Sequence, residues 1–188
     1  LEINQPHITN LLESCKKQDK NAQLELYKCY YKAMYNVAYR ILKDEFEAED
    51  LMQEAFLTVF TKMQTYKGEV TFGAWLKRIV INKSLTQLKK NNKYQEIKME
   101  IIPSDEVEDE TVNYKGFKGS TVLKCLQSLK ENYRIVLNLH LIEGYDYEEI
   151  SQILEYTNEN VRTTVSRAKK KLKQVLLAEK IQSQVYGR

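Results

Sequence analysis

Two histidines, three cysteines and a handful of glycines in 188 residues leave little catalytic chemistry available to this chain. His7 and His140 cannot supply a defensible Ser/His/Asp set, no glycine-rich phosphate loop is present, and no His and Cys stand at metal-ligand spacing. The chain is therefore expected to act by binding, with no cofactor and no metal. Cys15, Cys29 and Cys125 are odd in number and scattered through helical patterns, which argues against both a disulfide framework and a metal site and suits core residues or surface thiols. No apolar run approaches the roughly eighteen residues needed to cross a bilayer. The N-terminal LEINQPHITN lacks the charged-then-apolar order of a signal peptide, so no membrane insertion and a cytoplasmic location are expected.

What is present is charge, and it is segregated. The formal net charge is only +3, yet Lys77 to Lys93 holds six basic residues and no acid, whereas Glu96 to Asn113 holds seven acids and one lysine, net −6. From Val161 to Ala178 there are again six basic residues and no acid. A basic, acidic, basic order fits two nucleic-acid-binding modules on an anionic tether, although such runs are more often plain solvated surface. Arginine is scarce, six among 29 basic residues, but Arg78, Arg162 and Arg167 all fall in the two basic stretches.

The last fifth of the chain reads as a helix-turn-helix. Asp146 and Glu149 have the spacing of a reciprocal capping box, so a short helix is predicted from Tyr147, with Ile150, Ile153 and Leu154 as its buried edge. The break Glu155-Tyr156-Thr157 follows, with Thr157 as the next N-cap. In the second helix Val161, Val165, Ala168, Leu172 and Val175 repeat at four, three, four and three, one inward stripe. Thr163, Ser166, Arg167 and Lys170 lie opposite, flanked by Arg162 and Lys169, an outer face suited to phosphates and base edges.

The remaining pattern is also helical, so the fold class is all-α, two small helical domains joined by an acidic linker. Ile8, Leu11, Leu12 and Cys15 mark a first helix; Tyr27, Tyr30, Tyr31, Met34, Val37, Ala38 and Ile41 mark a second. In a third, Ala48, Leu51, Met52, Ala55, Phe56, Val59, Phe60 and Met63 face inward while Asp50, Gln53, Glu54 and Leu57 face out. Gly68 interrupts a loop from Tyr66 to Thr71, and Phe72, Trp75, Leu76, Ile79 and Val80 outline a fourth. Pro103 and the acids mark a linker over residues 94 to 118, between a domain at 5 to 93 and another at 119 to 180. The second domain is predicted to begin with Val122, Leu123, Leu126 and Leu129, followed by Ile135, Val136, Leu137 and Leu141.

Three blocks resemble the bacterial RNA polymerase sigma factors, specifically the compact extracytoplasmic-function group that keeps regions two and four. EAEDLMQEAFLTVF, residues 47 to 60, and YKGEVTFGAWLKRIVINKSL, residues 66 to 85, are similar to region two. EGYDYEEISQIL and VRTTVSRAKKKL are similar to the region-four helix-turn-helix. The resemblance implies core RNA polymerase, promoter DNA and an anti-sigma factor as partners, and no catalysis.

By that resemblance Asp50, Gln53, Glu54 and Leu57 grip the polymerase. Tyr66, Lys67, Phe72, Trp75, Lys77, Arg78, Asn82, Lys83, Lys89 and Lys90 handle the minus-ten element, the aromatics offering faces on which an extruded base gains roughly 1–3 kcal/mol. Phe72 and Trp75 also fit the core stripe, which makes Tyr66 the chief candidate for the pocket. Asn158, Asn160, Arg162, Thr163, Ser166, Arg167 and Lys170 read the minus-thirty-five element. Thr86, Leu88 and Lys89 replace the family's usual acid-Leu-Arg, Glu155 replaces a turn glycine, and Thr164 and His140 stand where basic residues are common. The rival readings are a stand-alone helix-turn-helix DNA-binding transcriptional regulator, which leaves the region-two blocks without purpose, and a helical adaptor, which leaves the acid-free capped helix without purpose.

Overall fold

A computed structural model describes residues 5 to 91 and 116 to 186, and side chains from 7 to 91 and 116 to 181. The chain divides into two compact units between Tyr94 and Gln95. The acid cluster of the expected linker lies outside the described residues.

The first unit contains α1 (Gln5–Lys16), α2 (Lys20–Leu42), α3 (Glu45–Thr61), a 3-10 turn (Met63–Thr65) and α4 (Phe72–Lys90). Local chemistry sets its boundaries. The Asp19 carboxylate accepts from the amides of Asn21 and Ala22 at 2.8 and 3.1 Å and starts α2. Lys43, at φ +59°, ends that helix, and Asp44 at once caps α3 by accepting from the Glu47 amide at 3.0 Å. Two residues thus reverse the chain, so α2 and α3 form a tight antiparallel hairpin against which α4 packs. Leu26, Ile41, Met52, Leu76, Ile81 and Leu88 are fully buried between these helices. Gly73 marks the crossing of α4 and α2: a Cβ there would sit 3.1 Å from Tyr30 Cε1, tighter than an easy van der Waals contact.

The buried arc of α4 differs from the expected stripe. Trp75 and Ile79 are only half-buried, while Ile81, Ser84, Leu85 and Leu88 are buried. The helix lies against both α2 and α3, so its covered arc is broader than one amphipathic stripe, and Ser84 enters it by donating its hydroxyl to the Val80 carbonyl at 2.8 Å. Phe60 is likewise half-buried.

The second unit runs α5 (Gly119–Gln127), α6 (Glu131–Leu137), a π turn (Asn138–Ile142), α7 (Tyr147–Leu154) and α8 (Asn158–Tyr186). Leu139 is buried and Leu141 only half-buried, because Leu139 falls four residues after Ile135 and three after Val136 and so continues their buried row. The Asp146–Glu149 capping box is formed in both directions, at 2.8 and 2.9 Å. Glu155 takes the left-handed conformation at φ +61°, the geometry a glycine would hold without strain. Thr157 caps α8 through the Asn160 amide at 3.3 Å. Ile150, Ile153, Leu154, Val161, Val165, Ala168 and Leu172 are all buried; Leu176 rather than Val175 continues the row.

Candidate functional site

In the first unit Tyr66 leaves the 3-10 turn and donates its hydroxyl to the Val70 carbonyl at 2.7 Å, closing the loop over Gly68, which has φ +80°. Its ring stands 5.2 Å from that of Trp75 and meets Phe72 edge-on at 5.7 Å. Phe72 also packs edge-on against Tyr30 at 5.2 Å and is only 3% exposed. Phe72 is thus the floor of the aromatic cluster, in keeping with its fit to the core stripe, and its ring leaves no exposed face in the free chain. Tyr66 and Trp75 are half-exposed, and with Lys67 and Gly68 they line a cavity of about 230 Å³. Lys77 and Arg78 are partly exposed on the following turns.

A second cavity, about 320 Å³, lies between α3 and α4. Asp50 and Glu54 line one wall, Asn82, Lys83 and Lys90 the other. The fold thereby brings together two sets that the sequence kept apart, the acids expected to meet polymerase and the cations expected to meet DNA. The Lys83 ammonium pairs with Glu54 at 3.4 Å, and Asn91 donates to Glu47 at 2.9 Å nearby. Asp50, Gln53 and Glu54 are exposed, and Leu57 is 68% exposed, although apolar. Lys89 is exposed as well.

One residue of this face escaped the sequence reading. Phe46 is 84% exposed and stands four residues before Asp50, so Phe46, Asp50, Gln53 and Leu57 form one outward row at spacings of four, three and four. The signal was available, an aromatic out of step with the inward row of the same helix.

In the second unit the start of α8 is braced by its neighbours. Arg162 donates through Nε to Asn158 Oδ1 at 2.8 Å, and its guanidinium lies 5.2 Å from the centre of the Tyr147 ring. His140 stacks on Tyr147 at 4.9 Å, with Nδ1 3.1 Å from the Tyr145 carbonyl. The histidine is a structural support beneath the helix start. Arg162 and Lys170 are exposed, while Asn158, Asn160, Thr163 and Arg167 are partly so. Ser166 is buried at 7% exposure, which corrects its expected place on the outer face; Thr164 is buried too. Because α5, α6 and α7 all pack on α8, its covered arc takes in positions beyond the single apolar stripe.

Burial, helped by the nearby Asp19 carboxylate, raises Cys15 from 9.0 to about 11, so this thiol stays neutral. Burial also raises Tyr30, the ring that backs Phe72. No described helix is long and apolar enough to cross a membrane.

Comparison with known proteins shows the family and the fold. The Sigma-70 region 2 model matches residues 26 to 94 and the Sigma-70 region 4 model matches residues 120 to 172. The chain is 33% identical over 159 residues to the ECF RNA polymerase sigma factor SigE of Mycolicibacterium smegmatis, covering 81% of this chain and 60% of that protein. It is 26% identical over 180 residues to SigW of Bacillus subtilis, covering 90% and 96%. Among solved structures, the sigma factor RpoE in complex with the anti-sigma factor NepR from Bartonella quintana shares the fold, with a TM-score of 0.55 and 23% identity over 81% of this chain and 94% of that one. Two Sigma-70 region models matched in order, and relatives of one kind, show that this chain belongs to the sigma-70 family, in its extracytoplasmic-function group of RNA polymerase sigma factors.

Proposed function

We propose that this sigma factor divides promoter handling between its two units. The outward row of α3 binds core RNA polymerase; residues 64 to 90 capture and hold the opened minus-ten element; residues 158 to 173 read the duplex minus-thirty-five element. The observation that supports this division most is the distribution of aromatic faces. Tyr66 and Trp75 present half-exposed rings at the mouth of a cavity in the first unit, whereas α8 has no aromatic from Asn158 to Ala178. An extruded base needs a face to stack on, and duplex edges do not. The acid-only composition of α3, with five carboxylates and no basic residue from Glu45 to Thr61, fits a cationic polymerase surface and repels DNA.

The chain acts by binding and not as an enzyme, alongside polymerase in the cytoplasm, and an anti-sigma protein is its expected regulator. The test is run-off transcription with core polymerase on a promoter taken from the region upstream of the chain's own gene. Specific transcripts that require both core enzyme and this chain support the reading. Binding to that DNA without core enzyme, with no transcript in its presence, would support a stand-alone regulator instead.

A further inference from the structure

Side chains from the π turn, α7 and α8 meet at the start of α8. Arg162 donates through Nε to Asn158 Oδ1, one helical turn earlier, at 2.8 Å, and its guanidinium lies 5.2 Å from the centre of the Tyr147 ring. Tyr147, the first residue of α7, is itself fixed twice. The Asp146–Glu149 capping box sets the backbone at that helix start, and the His140 ring stacks on the tyrosine at 4.9 Å, inclined by 27°. His140 is held in turn by its Nδ1, 3.1 Å from the Tyr145 carbonyl. Thr157 caps α8 through the Asn160 amide at 3.3 Å, so the Asn158 carboxamide is not required to start the helix. Arg162 remains exposed, with Tyr147 and Asn158 half-buried behind it.

An arginine on a helix surface ordinarily samples many rotamers, and ordering it on a ligand costs that freedom. Here the guanidinium is ordered in the free chain, by its Nε edge and by one face. The acceptor at Nε is a neutral amide oxygen, which fixes direction without neutralising the charge that DNA attracts. The same bond selects an edge. A guanidinium offers two parallel N–H groups either from its Nε side or from its two terminal amino groups, and with Nε committed to Asn158 the terminal pair is the one left open. That pair matches the O6 and N7 acceptors of a guanine in the major groove. We infer that Tyr147 and Asn158 are positioning residues for Arg162, holding its guanidinium so that the terminal amino groups read one guanine edge of the upstream promoter element. Asn158 then acts through Arg162 and not as a reader in its own right. This inference rests on the proposed reading of that element by α8, and the experiment separates the two.

Holoenzyme assembled from core polymerase and the full chain is offered promoter DNA randomised over the minus-thirty-five element, and the bound pool is sequenced. The parent is compared with Arg162→Ala, Asn158→Ala, Tyr147→Leu and Tyr147→Phe, and with Asn158→Ala and Tyr147→Leu each combined with Arg162→Ala; thermal melts check every fold. Arg162→Ala should lower the preference for guanine at one base pair roughly tenfold and leave the other positions unchanged. Asn158→Ala and Tyr147→Leu should each lower it at that same base pair by roughly threefold and add nothing once Arg162 is gone, while Tyr147→Phe, which keeps the ring, stays near the parent. Full guanine preference in both Asn158→Ala and Tyr147→Leu overturns the positioning role, as does a loss spread over all positions in step with the melting temperature. A loss at a different base pair in Asn158→Ala makes the asparagine a direct reader, and equal losses in Tyr147→Leu and Tyr147→Phe make the hydroxyl the contact; either overturns the proposal and leaves α8 as the reader. Evenly weakened binding of all sequences in Arg162→Ala places the arginine on phosphate and overturns it too. A parent holoenzyme that selects no upstream sequence removes the reading by α8 itself, and the proposal with it.

Discussion

The Lys83 ammonium stands 3.4 Å from the Glu54 carboxylate, across the cleft between α4 and α3. A cation expected to hold DNA is therefore paired, in the free chain, with an acid expected to hold polymerase. The side chains are 30% and 73% exposed, and a pair so open to water is worth at most about 1 kcal/mol. Its effect on folding is small, and its effect falls on which partner each group can reach.

Glu54→Ala should thus lower affinity for core polymerase but shift the thermal midpoint by only a few degrees, roughly what 1 kcal/mol produces in a domain of this size. Lys83→Ala should leave polymerase affinity within about twofold and reduce open-complex stability. Calorimetry with a core-binding assay and a heparin-challenge lifetime measures both. Equal loss of polymerase binding in the two variants would show that Lys83 belongs to the polymerase surface.

Tyr66 and Arg167 should separate opening from reading. Arg167→Ala is expected to cost roughly 1–3 kcal/mol of affinity for the upstream element if the contact is bidentate to a guanine, and less if it reaches only phosphate. Tyr66→Ala should leave closed-complex binding nearly intact and reduce strand opening, since it removes both the accessible ring and the bond that closes the loop at Val70. Permanganate reactivity of unpaired thymines, measured beside a gel shift, reads the two steps independently. Loss of closed-complex binding in Tyr66→Ala would place the tyrosine in duplex recognition.

Ser166 provides a sharp contrast with Lys170 on the same helix. Adding a cation on the DNA side of a reader helix ordinarily strengthens nonspecific binding, but Ser166 is 7% exposed. Ser166→Arg should therefore destabilise the second unit by about 2 kcal/mol or more, through overpacking and an unpaired buried charge. Lys170→Ala, at an exposed position, should leave the melting temperature unchanged and weaken binding evenly across DNA sequences. Thermal melts and salt-dependent binding of both variants check this; a stable Ser166→Arg chain with raised DNA affinity would contradict the burial.

Thiol chemistry should follow burial. Cys29 is exposed and should react readily with a disulfide reagent, whereas Cys15 and Cys125 should react only as the fold opens. With Cys15 at about 11 against 9.0 for a free thiol, the native state holds that proton more tightly than the unfolded chain does. The resulting stabilisation is complete below pH 9, and it is lost as pH rises from there to about 11. One fast and two slow thiols at pH 8, with the slow pair accelerating in step with unfolding under denaturant, is the expected result.

Some of this molecule was written in local sequence. The Asp146–Glu149 box, the Thr157 cap, the outward row from Asp50 to Leu57 and the aromatics around Gly68 depend on neighbours within a few residues, and spacing alone reveals them. The burial of Ser166, the rotation of α4 about Trp75 and the pairing of Lys83 with Glu54 do not. These depend on how many helices cover one helix and which wall faces which, relations between residues distant in sequence, as Lys83 and Glu54 are at 29 positions apart. Amphipathic periodicity fixes one stripe, so it cannot report that α8 is packed by three helices. The kinds of chemistry available were thus decided locally, and tertiary packing decided which side chains remain exposed to carry it out.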